Sequence, residues 1–207
     1  MKINKPIALL SFCLILGSTP EVFAQSGDAA FEKGSNIINI GVGLGGNYTY
    51  FGDGYTSTPD FVISYDNGTF GDVGPGTISL GALVAFKGIS YDYTDFRTGY
   101  YYNQNWSYYI IGVRGAYHLT IPSAPRFDPY AGLMLGYYDI GYKVSSSDPF
   151  FNHPGDPYYA TYSNNYASYV AFSLYIGARY YLSNRVGLWL ELGYGYTDAA
   201  LGICFKL

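Results

Sequence analysis

The last part of the chain, residues 186–207, alternates strictly between two kinds of side chain. From Val186 to Tyr196 every even-numbered residue is apolar or aromatic, and the odd-numbered residues are small, polar or charged apart from Trp189. After a break at Thr197 and Asp198, apolar residues return at 201, 203, 205 and 207. This period of two is that of a β-strand, whose successive side chains point to opposite faces. A face of glycines and isolated charges opposite an apolar face is typical of transmembrane β-barrels.

The composition agrees with this pattern. Hydrophobic residues make up 49% of the chain, yet the mean hydropathy is only +0.04, because apolar residues are diluted singly among polar ones. With 26 tyrosines and 27 glycines, the chain suits a barrel with aromatic girdles and closely packed strands. The formal charge of −4 gives no support to a nucleic-acid partner.

The N-terminus predicts export. Lys2 and Lys5 precede an apolar run at residues 7–16, and small residues around Ala24 fit a cleavage site. We expect residues 1–24 to be a signal peptide and residues 25–207 to form one outer-membrane β-barrel domain. The run is too short for a transmembrane helix, which needs about 20 residues. Barrel strands in an exported chain indicate the outer membrane of a bacterial cell.

Eight alternating segments can be followed along the chain, which predicts an all-β, eight-stranded antiparallel up-and-down transmembrane β-barrel. Short or proline-bound connections alternate with long ones that are rich in Tyr, Asn, Asp and Gly. The short connections are residues 71–76, 120–127 and 183–185; the long ones are residues 51–60, 88–105 and 145–165. Such barrels turn tightly in the periplasm and carry their long loops outside, so both termini are expected in the periplasm. Thr197 and Asp198 form the exception, a very short external link.

Three segments resemble small outer-membrane β-barrel proteins of Bacteroidetes-type bacteria, a porin-family group with the shape of OmpA/OmpX-type barrels. They are IIGVRGAYH at residues 110–118, DPYAGLMLGY at 128–137 and ELGYG at 191–195. The resemblance implies a barrel that lies in outer-membrane lipid. We expect a monomer that is inserted by the barrel assembly machinery. It implies no single activity. Many such barrels end on an aromatic residue, whereas this chain ends on Leu207, with Phe205 nearby.

Charged residues on the predicted inner faces form a candidate cluster. An eight-stranded barrel has an interior just wide enough to be filled by side chains, which favours a structural role for inward charges. A narrow ion or proton path is the alternative. The predicted cluster consists of Arg114, Arg179, Glu191 and Lys206.

The expected register places Glu191 between two cations. A hairpin at residues 183–185 sets Arg179 opposite Trp189, diagonal to Glu191. If Tyr196 pairs with Ala199, Cys204 faces Glu191, and Lys206 lies diagonal to it. A register shifted by two residues would place Lys206 directly opposite Glu191.

No catalytic, metal-binding or cofactor-binding residues are predicted. The chain has two histidines, His118 on an inner strand face and His153 in a long loop near Asp148 and Asp156. No set of Ser, His and acid converges on the sequence pattern, and the loop acids are loosely spaced for a metal.

The tyrosines suggest two further roles. Aromatic residues at predicted strand ends suit belts at the lipid boundary. Those at the outer ends are Tyr48, Tyr50, Tyr108, Tyr109, Tyr137, Tyr194 and Tyr196, and those near the inner ends are Tyr117, Tyr130, Tyr180 and Phe205. The long connection 88–105 holds a candidate contact surface, since tyrosine offers contact area at low entropic cost. The alternative is that this segment extends its two strands beyond the membrane. The surface consists of Tyr91, Tyr93, Phe96, Arg97, Tyr100, Tyr101 and Tyr102.

These observations favour a non-enzymatic outer-membrane protein with a structural or surface-interaction role through its extracellular loops. The partner on that surface is left open. A narrow pore or a transport or secretion accessory is the main alternative, and a membrane-embedded lipid hydrolase is a third.

Overall fold

The computed structural model describes residues 29–46, 54–149 and 167–207. These ranges contain nine β-strands and no helix that is long and apolar enough to cross a membrane. The strands are β1 (Asn36–Leu44), β2 (Tyr55–Ser57), β3 (Asp60–Val73), β4 (Gly76–Thr94), β5 (Tyr101–Leu119), β6 (Phe127–Ser146), β7 (Ala167–Tyr181), β8 (Val186–Tyr194) and β9 (Ala199–Lys206).

Eight of these strands close into an antiparallel ring. From β3 to β9 each strand pairs with the next, and β1 pairs with β3 on one side and β9 on the other. The short β2 continues the line of β3, pairing Thr56 with Ser90 of β4. Closure pairs the edges of all eight strands, as a sheet surrounded by lipid requires. The predicted eight-stranded up-and-down barrel is confirmed.

Side chains alternate between the outside of the ring and its interior. On β5, Val113 points outward with 66% of its surface exposed, whereas its neighbour Arg114 is buried. On β8, Leu188 and Leu190 are exposed and Trp189 is buried between them in sequence. The period of two seen in the sequence therefore separates an apolar exterior from a polar and aromatic interior.

Two hairpins test the predicted register. The register of β7 with β8 is confirmed, since Arg179 pairs with Trp189. The register of β8 with β9 is wrong by four residues, because Ala199 pairs with Leu192 instead of Tyr196. Gly195, with a φ of 126°, turns the chain before the expected link, and Tyr196 enters the interior.

Two tyrosines expected in the aromatic belts are instead inside the barrel. Tyr130 and Tyr196 are both buried, and each donates a hydrogen bond to a carboxylate there. The belt positions of Tyr109, Tyr137 and Tyr194 remain outward and exposed.

The predicted long loop at residues 88–105 is wrong. β4 and β5 stay paired out to Thr94 and Tyr101, so only residues 95–100 connect them. β6 follows β5 as far as Ser146, which pairs with Tyr102. We call residues 88–107 the hairpin extension. It projects from the end of the barrel opposite the short turns. This agrees with the alternative prediction that the segment extends its two strands.

The N-terminal segment 29–35 closes the end of the barrel that carries the short turns. Phe31 is buried and its ring stacks on His118 with a centroid distance of 3.7 Å. The backbone N–H of Gly34 donates to the carbonyl of Gly68 on β3 at 2.8 Å. The sequence pattern did not predict this segment as part of the barrel core.

Candidate functional site

Five ionisable side chains from five strands meet inside the barrel. Each is buried, and each lies at an inward position of its strand. They are Asp66 of β3, Arg114 of β5, Asp128 of β6, Arg179 of β7 and Glu191 of β8. We call these five residues the interior charge cluster.

Arg114 joins two carboxylates. Its Nη2 lies 2.8 Å from Oε2 of Glu191, and its Nε lies 3.1 Å from Oδ1 of Asp66. The guanidinium also lies over the ring of Tyr175, 4.1 Å from its centroid. The two carboxylates compensate the positive charge of the buried guanidinium, as a charge removed from water requires.

Arg179 forms a second, linked set of contacts. Its Nη1 lies 2.8 Å from Oδ2 of Asp128, and its Nη2 bonds to Oδ2 of Asp66. Its Nε donates to Oδ1 of Asn39 at 2.9 Å. Asp66 therefore bridges both guanidinium groups, and the two arginines act as one network.

Glu191 is held by hydroxyl groups as well as by Arg114. Tyr196 donates to Oε1 at 2.8 Å, and Tyr130 donates to Oε2 at 3.1 Å. The indole of Trp189 donates to the hydroxyl of Tyr130 at 2.7 Å. These donors fix the carboxylate in one position on the inner wall.

His118 links the cluster to Ser79. Its Nδ1 lies 2.8 Å from Oδ1 of Asp128, and its Nε2 lies 3.0 Å from Oγ of Ser79. The expectation that no Ser, His and acid converge is wrong, because strand pairing brings these three together. Ser79 has no exposed surface, and Phe31 covers His118. A nucleophile needs access to its substrate, which this arrangement lacks.

Three of the four predicted cluster residues, Arg114, Arg179 and Glu191, lie in the same network. Lys206 does not join them; its Nζ contacts the backbone carbonyls of Ala29 and Ala30 at 3.5 and 3.4 Å. Arg179 also contacts the ring of Tyr130, 4.7 Å from its centroid, instead of resting on Trp189 as the sequence suggested.

Sequence reasoning missed Asp66, Asp128 and Asn39. Residues 61, 63 and 65 face outward, so the alternation along this strand already marks Asp66 as an inward residue. Asp128 directly follows the proline-bound connection 120–127, where no alternation marks its side, and the structure places it on β6.

Glycines make room for the interior side chains. Gly177 pairs with Tyr130 and Gly132 with Tyr175 on neighbouring strands, so each ring lies over a glycine. Gly81 pairs with Asp66 on one side and with Arg114 on the other. A Cβ there would overlap the backbone carbonyl of Tyr65, so the ion pair across Gly81 depends on its missing side chain.

The candidate contact surface does not form one face. Tyr91 and Tyr93 lie on β4, Tyr101 and Tyr102 on β5, and the remaining residues, Phe96, Arg97 and Tyr100, lie in the connection 95–100. Successive strand residues face opposite ways, so Tyr101 and Tyr102 point to different sides.

The tip of the hairpin extension is the most exposed part of this segment. Phe96 is 96% exposed. The backbone N–H of Arg97 donates to Oδ1 of Asp95 at 2.8 Å and lowers the pKa of that carboxyl below its ordinary value. An ionised, hydrogen-bonded Asp95 stabilises the turn that presents Phe96.

Some predicted features lie outside the described residues: the signal peptide at residues 1–24, Tyr48 and Tyr50, and His153 with Asp156. Within the described ranges, no three His, Cys, Asp or Glu side chains are grouped so that they could hold a metal ion.

Comparisons with known proteins give fold-level likeness only. No family model matches the chain, and no curated protein does. Among solved structures, it is similar to the N-terminal β-barrel domain of OprF from Pseudomonas aeruginosa, with 14% identity and a TM-score of 0.42 over 86% of this chain and 100% of that one. It is also similar to Ail, the attachment invasion locus protein of Yersinia pestis, with 11% identity and a TM-score of 0.40 over 84% of this chain and 95% of that one. A second Ail structure, in complex with the heparin analogue sucrose octasulfate, gives the same identity and TM-score. The closed ring of eight strands defines the fold of this chain.

Proposed function

We propose that the chain is a monomeric, non-enzymatic protein of the bacterial outer membrane with a structural or surface-interaction role. Its outer surface would contact lipid, and the hairpin extension would face the cell exterior. The observation that carries the proposal is a ring of half-exposed aliphatic side chains around an interior filled with paired charges.

The apolar exterior supports a membrane location. Outward residues such as Val113, Val170 and Leu174 each expose more than 60% of their surface. Each such side chain would gain about 1.5–3 kcal/mol on leaving water, so a full ring of them is costly in solution. Tyr109, Tyr137 and Tyr194 on one side and Tyr180 and Phe205 on the other fit the two interfacial belts.

The connections support the orientation. The short turns and the N-terminal segment 29–35 lie at one end, and the hairpin extension lies at the other. Outer-membrane barrels place short turns in the periplasm and long segments outside. A surface partner would therefore meet the tip around Phe96.

The interior disfavours a pore and a lipid hydrolase. Arg114 and Arg179 cross the lumen to carboxylates on other strands, and Trp189 and Tyr130 fill the space beside them. An ion would have to displace paired charges. A lipid ester would have to reach Ser79, which is buried.

Epitope insertions test the proposed location and orientation. A tag after Thr98, at the tip, should bind antibody on intact cells, whereas a tag after Ser123, between β5 and β6, should bind only after the outer membrane is permeabilised. Both insertions lie in connections between strands, so the barrel should still stay folded in detergent until it is heated. A folded protein whose Ser123 tag is accessible on intact cells would contradict the orientation.

A further inference from the structure

His118 lies where the interior charge cluster meets the N-terminal segment 29–35. Its Nδ1 lies 2.8 Å from Oδ1 of Asp128, and its Nε2 lies 3.0 Å from Oγ of Ser79. The ring of Phe31 covers one side of the imidazole, with an angle of 13° between the two planes. His118 and Phe31 are both buried. A proton on His118 would therefore interact with the cluster and with the segment at the same time.

The interior charge cluster has one negative charge in excess when His118 is neutral. Asp66, Asp128 and Glu191 supply three carboxylates, whereas the cluster contains two guanidinium groups. An uncompensated charge removed from water is costly, and a proton on His118, directly beside Asp128, balances the cluster. Lys206 does not supply the missing charge. Its Nζ contacts carbonyls of the segment, and none of the ion pairs in the described part of the chain includes it.

The hydrogen-bond partners of His118 also suit its charged form. An imidazolium donates from both ring nitrogens. Oδ1 of Asp128 can accept from Nδ1, and Oγ of Ser79 can accept from Nε2. The hydroxyl of Ser79 is then free to donate to the carbonyl of Ala116, 3.4 Å away. In the neutral form with a proton on Nδ1, Nε2 is an acceptor, and Ser79 turns its proton towards it.

Phe31 lies against two cations once His118 is protonated. The centroids of the two rings are 3.7 Å apart, and Cζ of Arg179 lies 5.8 Å from the Phe31 centroid. The negative face of an aromatic ring attracts a cation within about 6 Å. The same docking brings the N–H of Gly34 to the carbonyl of Gly68 at 2.8 Å. The charge of His118 therefore contributes to holding the segment on the barrel.

The other charged groups around His118 differ from it in how they respond to pH. Asp66 of β3 acts on His118 electrostatically and is paired with both arginines of the cluster. Tyr130 of β6, whose ring centroid lies 4.9 Å from that of His118, donates its hydroxyl proton to a carboxylate. Glu32 and Lys33 of the segment are exposed. Histidine is the side chain that ordinarily changes its charge between about pH 5 and 8, so His118 is the group among these that can act as a switch.

We propose that His118 is a proton-dependent latch for the N-terminal segment 29–35. When protonated, it balances the interior charge cluster and holds Phe31 against the end of the barrel. When it loses the proton as the pH rises, the attraction between the imidazolium and the ring is lost, so the segment detaches more often and that end of the barrel opens. Because these contacts lie at the barrel's interior, the latch does not depend on which end faces the periplasm.

Nuclear magnetic resonance of the purified full chain in detergent micelles tests the latch. Nitrogen-15 in the histidine rings reports the protonation of His118 as the pH is raised, and a His153→Asn variant assigns the signals. Hydrogen exchange of the Gly34 amide, corrected for the intrinsic effect of pH on exchange, reports the docking of the segment. We expect this exchange to become about tenfold faster as His118 loses its proton. The amide of Leu182, which donates to the carbonyl of Val186 at the same end of the barrel, should keep its protection.

Two results would overturn the latch. One is a His118 whose protonation does not change between about pH 5 and 8. The other is a corrected exchange rate of the Gly34 amide that does not follow the titration of His118, or that rises equally at Leu182.

Paired variants test whether the ring of Phe31 senses the charge. Phe31→Leu keeps an apolar side chain without an aromatic face, so exchange of the Gly34 amide should be faster and should lose most of its dependence on the titration of His118. Ser79→Ala is the control, because it removes a hydrogen bond of His118 but keeps its charge and the ring, and the dependence should remain. Folding of both variants is checked by gel mobility before and after heating. The same pH dependence in folded Phe31→Leu and Ser79→Ala would contradict the latch.

Discussion

Replacing Arg179 by methionine is expected to lower the free energy of unfolding by about 3–5 kcal/mol, the usual cost of removing one partner from a buried ion pair. Arg179 contacts Asp66, Asp128 and Asn39, so its loss leaves three buried carboxylates of the cluster facing the single guanidinium of Arg114. The measurement is urea unfolding in lipid vesicles, followed by the fluorescence of the two tryptophans.

Two further variants serve as comparisons for Arg179→Met. Arg97→Met removes an arginine from the exposed tip and should change the unfolding midpoint little, since exposed charges contribute about 0–1 kcal/mol. Glu191→Ala should be destabilising but milder than Arg179→Met, because Arg114 keeps Asp66 as a partner. An Arg179→Met protein as stable as Arg97→Met would show that the interior charge cluster does not hold the barrel together.

The second large effect is expected at Gly81. Gly81→Val should lower stability by at least about 3 kcal/mol or prevent folding, because it combines overpacking with separation of a buried ion pair. The new Cβ would overlap the backbone carbonyl of Tyr65 and press on the Asp66 carboxylate, and Gly81 lies between Asp66 and Arg114 in the strand register. The measurement is the fraction of protein that keeps its folded gel mobility without heating.

Gly115→Val is the matched control for Gly81→Val. A Cβ at Gly115 would lie 3.5 Å from its nearest neighbour, the carbonyl oxygen of Ser79, which is ordinary van der Waals contact. The side chain would point outward into the apolar exterior. If Gly115→Val were as damaging as Gly81→Val, the loss would reflect strand propensity at a glycine and not the space needed by Asp66 and Arg114.

The strands and their faces were predictable because alternation is a local property. Each residue between Leu188 and Leu192 faces the side opposite to its two neighbours, and closure is expected because an unpaired strand edge is costly in lipid. The register of β8 with β9 was not predictable in the same way. It depends on how the chain turns at Gly195, and a single residue there in an unusual conformation moves Tyr196 from the outside to the inside.

The contacts across the lumen were harder still. Arg179 bonds to Asn39, which is 140 residues away and lies on a strand that does not pair with β7. Lys206 was expected beside Glu191, but it meets carbonyls of Ala29 and Ala30, which have no alternation to mark them as part of the barrel. The alternation along each strand identifies which charged residues face inward. Which of them contact each other across the lumen depends on the curvature of the closed ring.

Spin labels test most directly whether the aliphatic rows contact acyl chains. With both native cysteines replaced by alanine, one label is placed at Val113 on the outer wall and another at Phe96 on the tip, and the protein is reconstituted in lipid vesicles. The Val113 label should collide with oxygen, which concentrates in the acyl core, far more than with a water-soluble nickel complex, and the Phe96 label should show the reverse. A Val113 label that the nickel complex reaches as readily as it reaches the Phe96 label would contradict the barrel's place in the membrane.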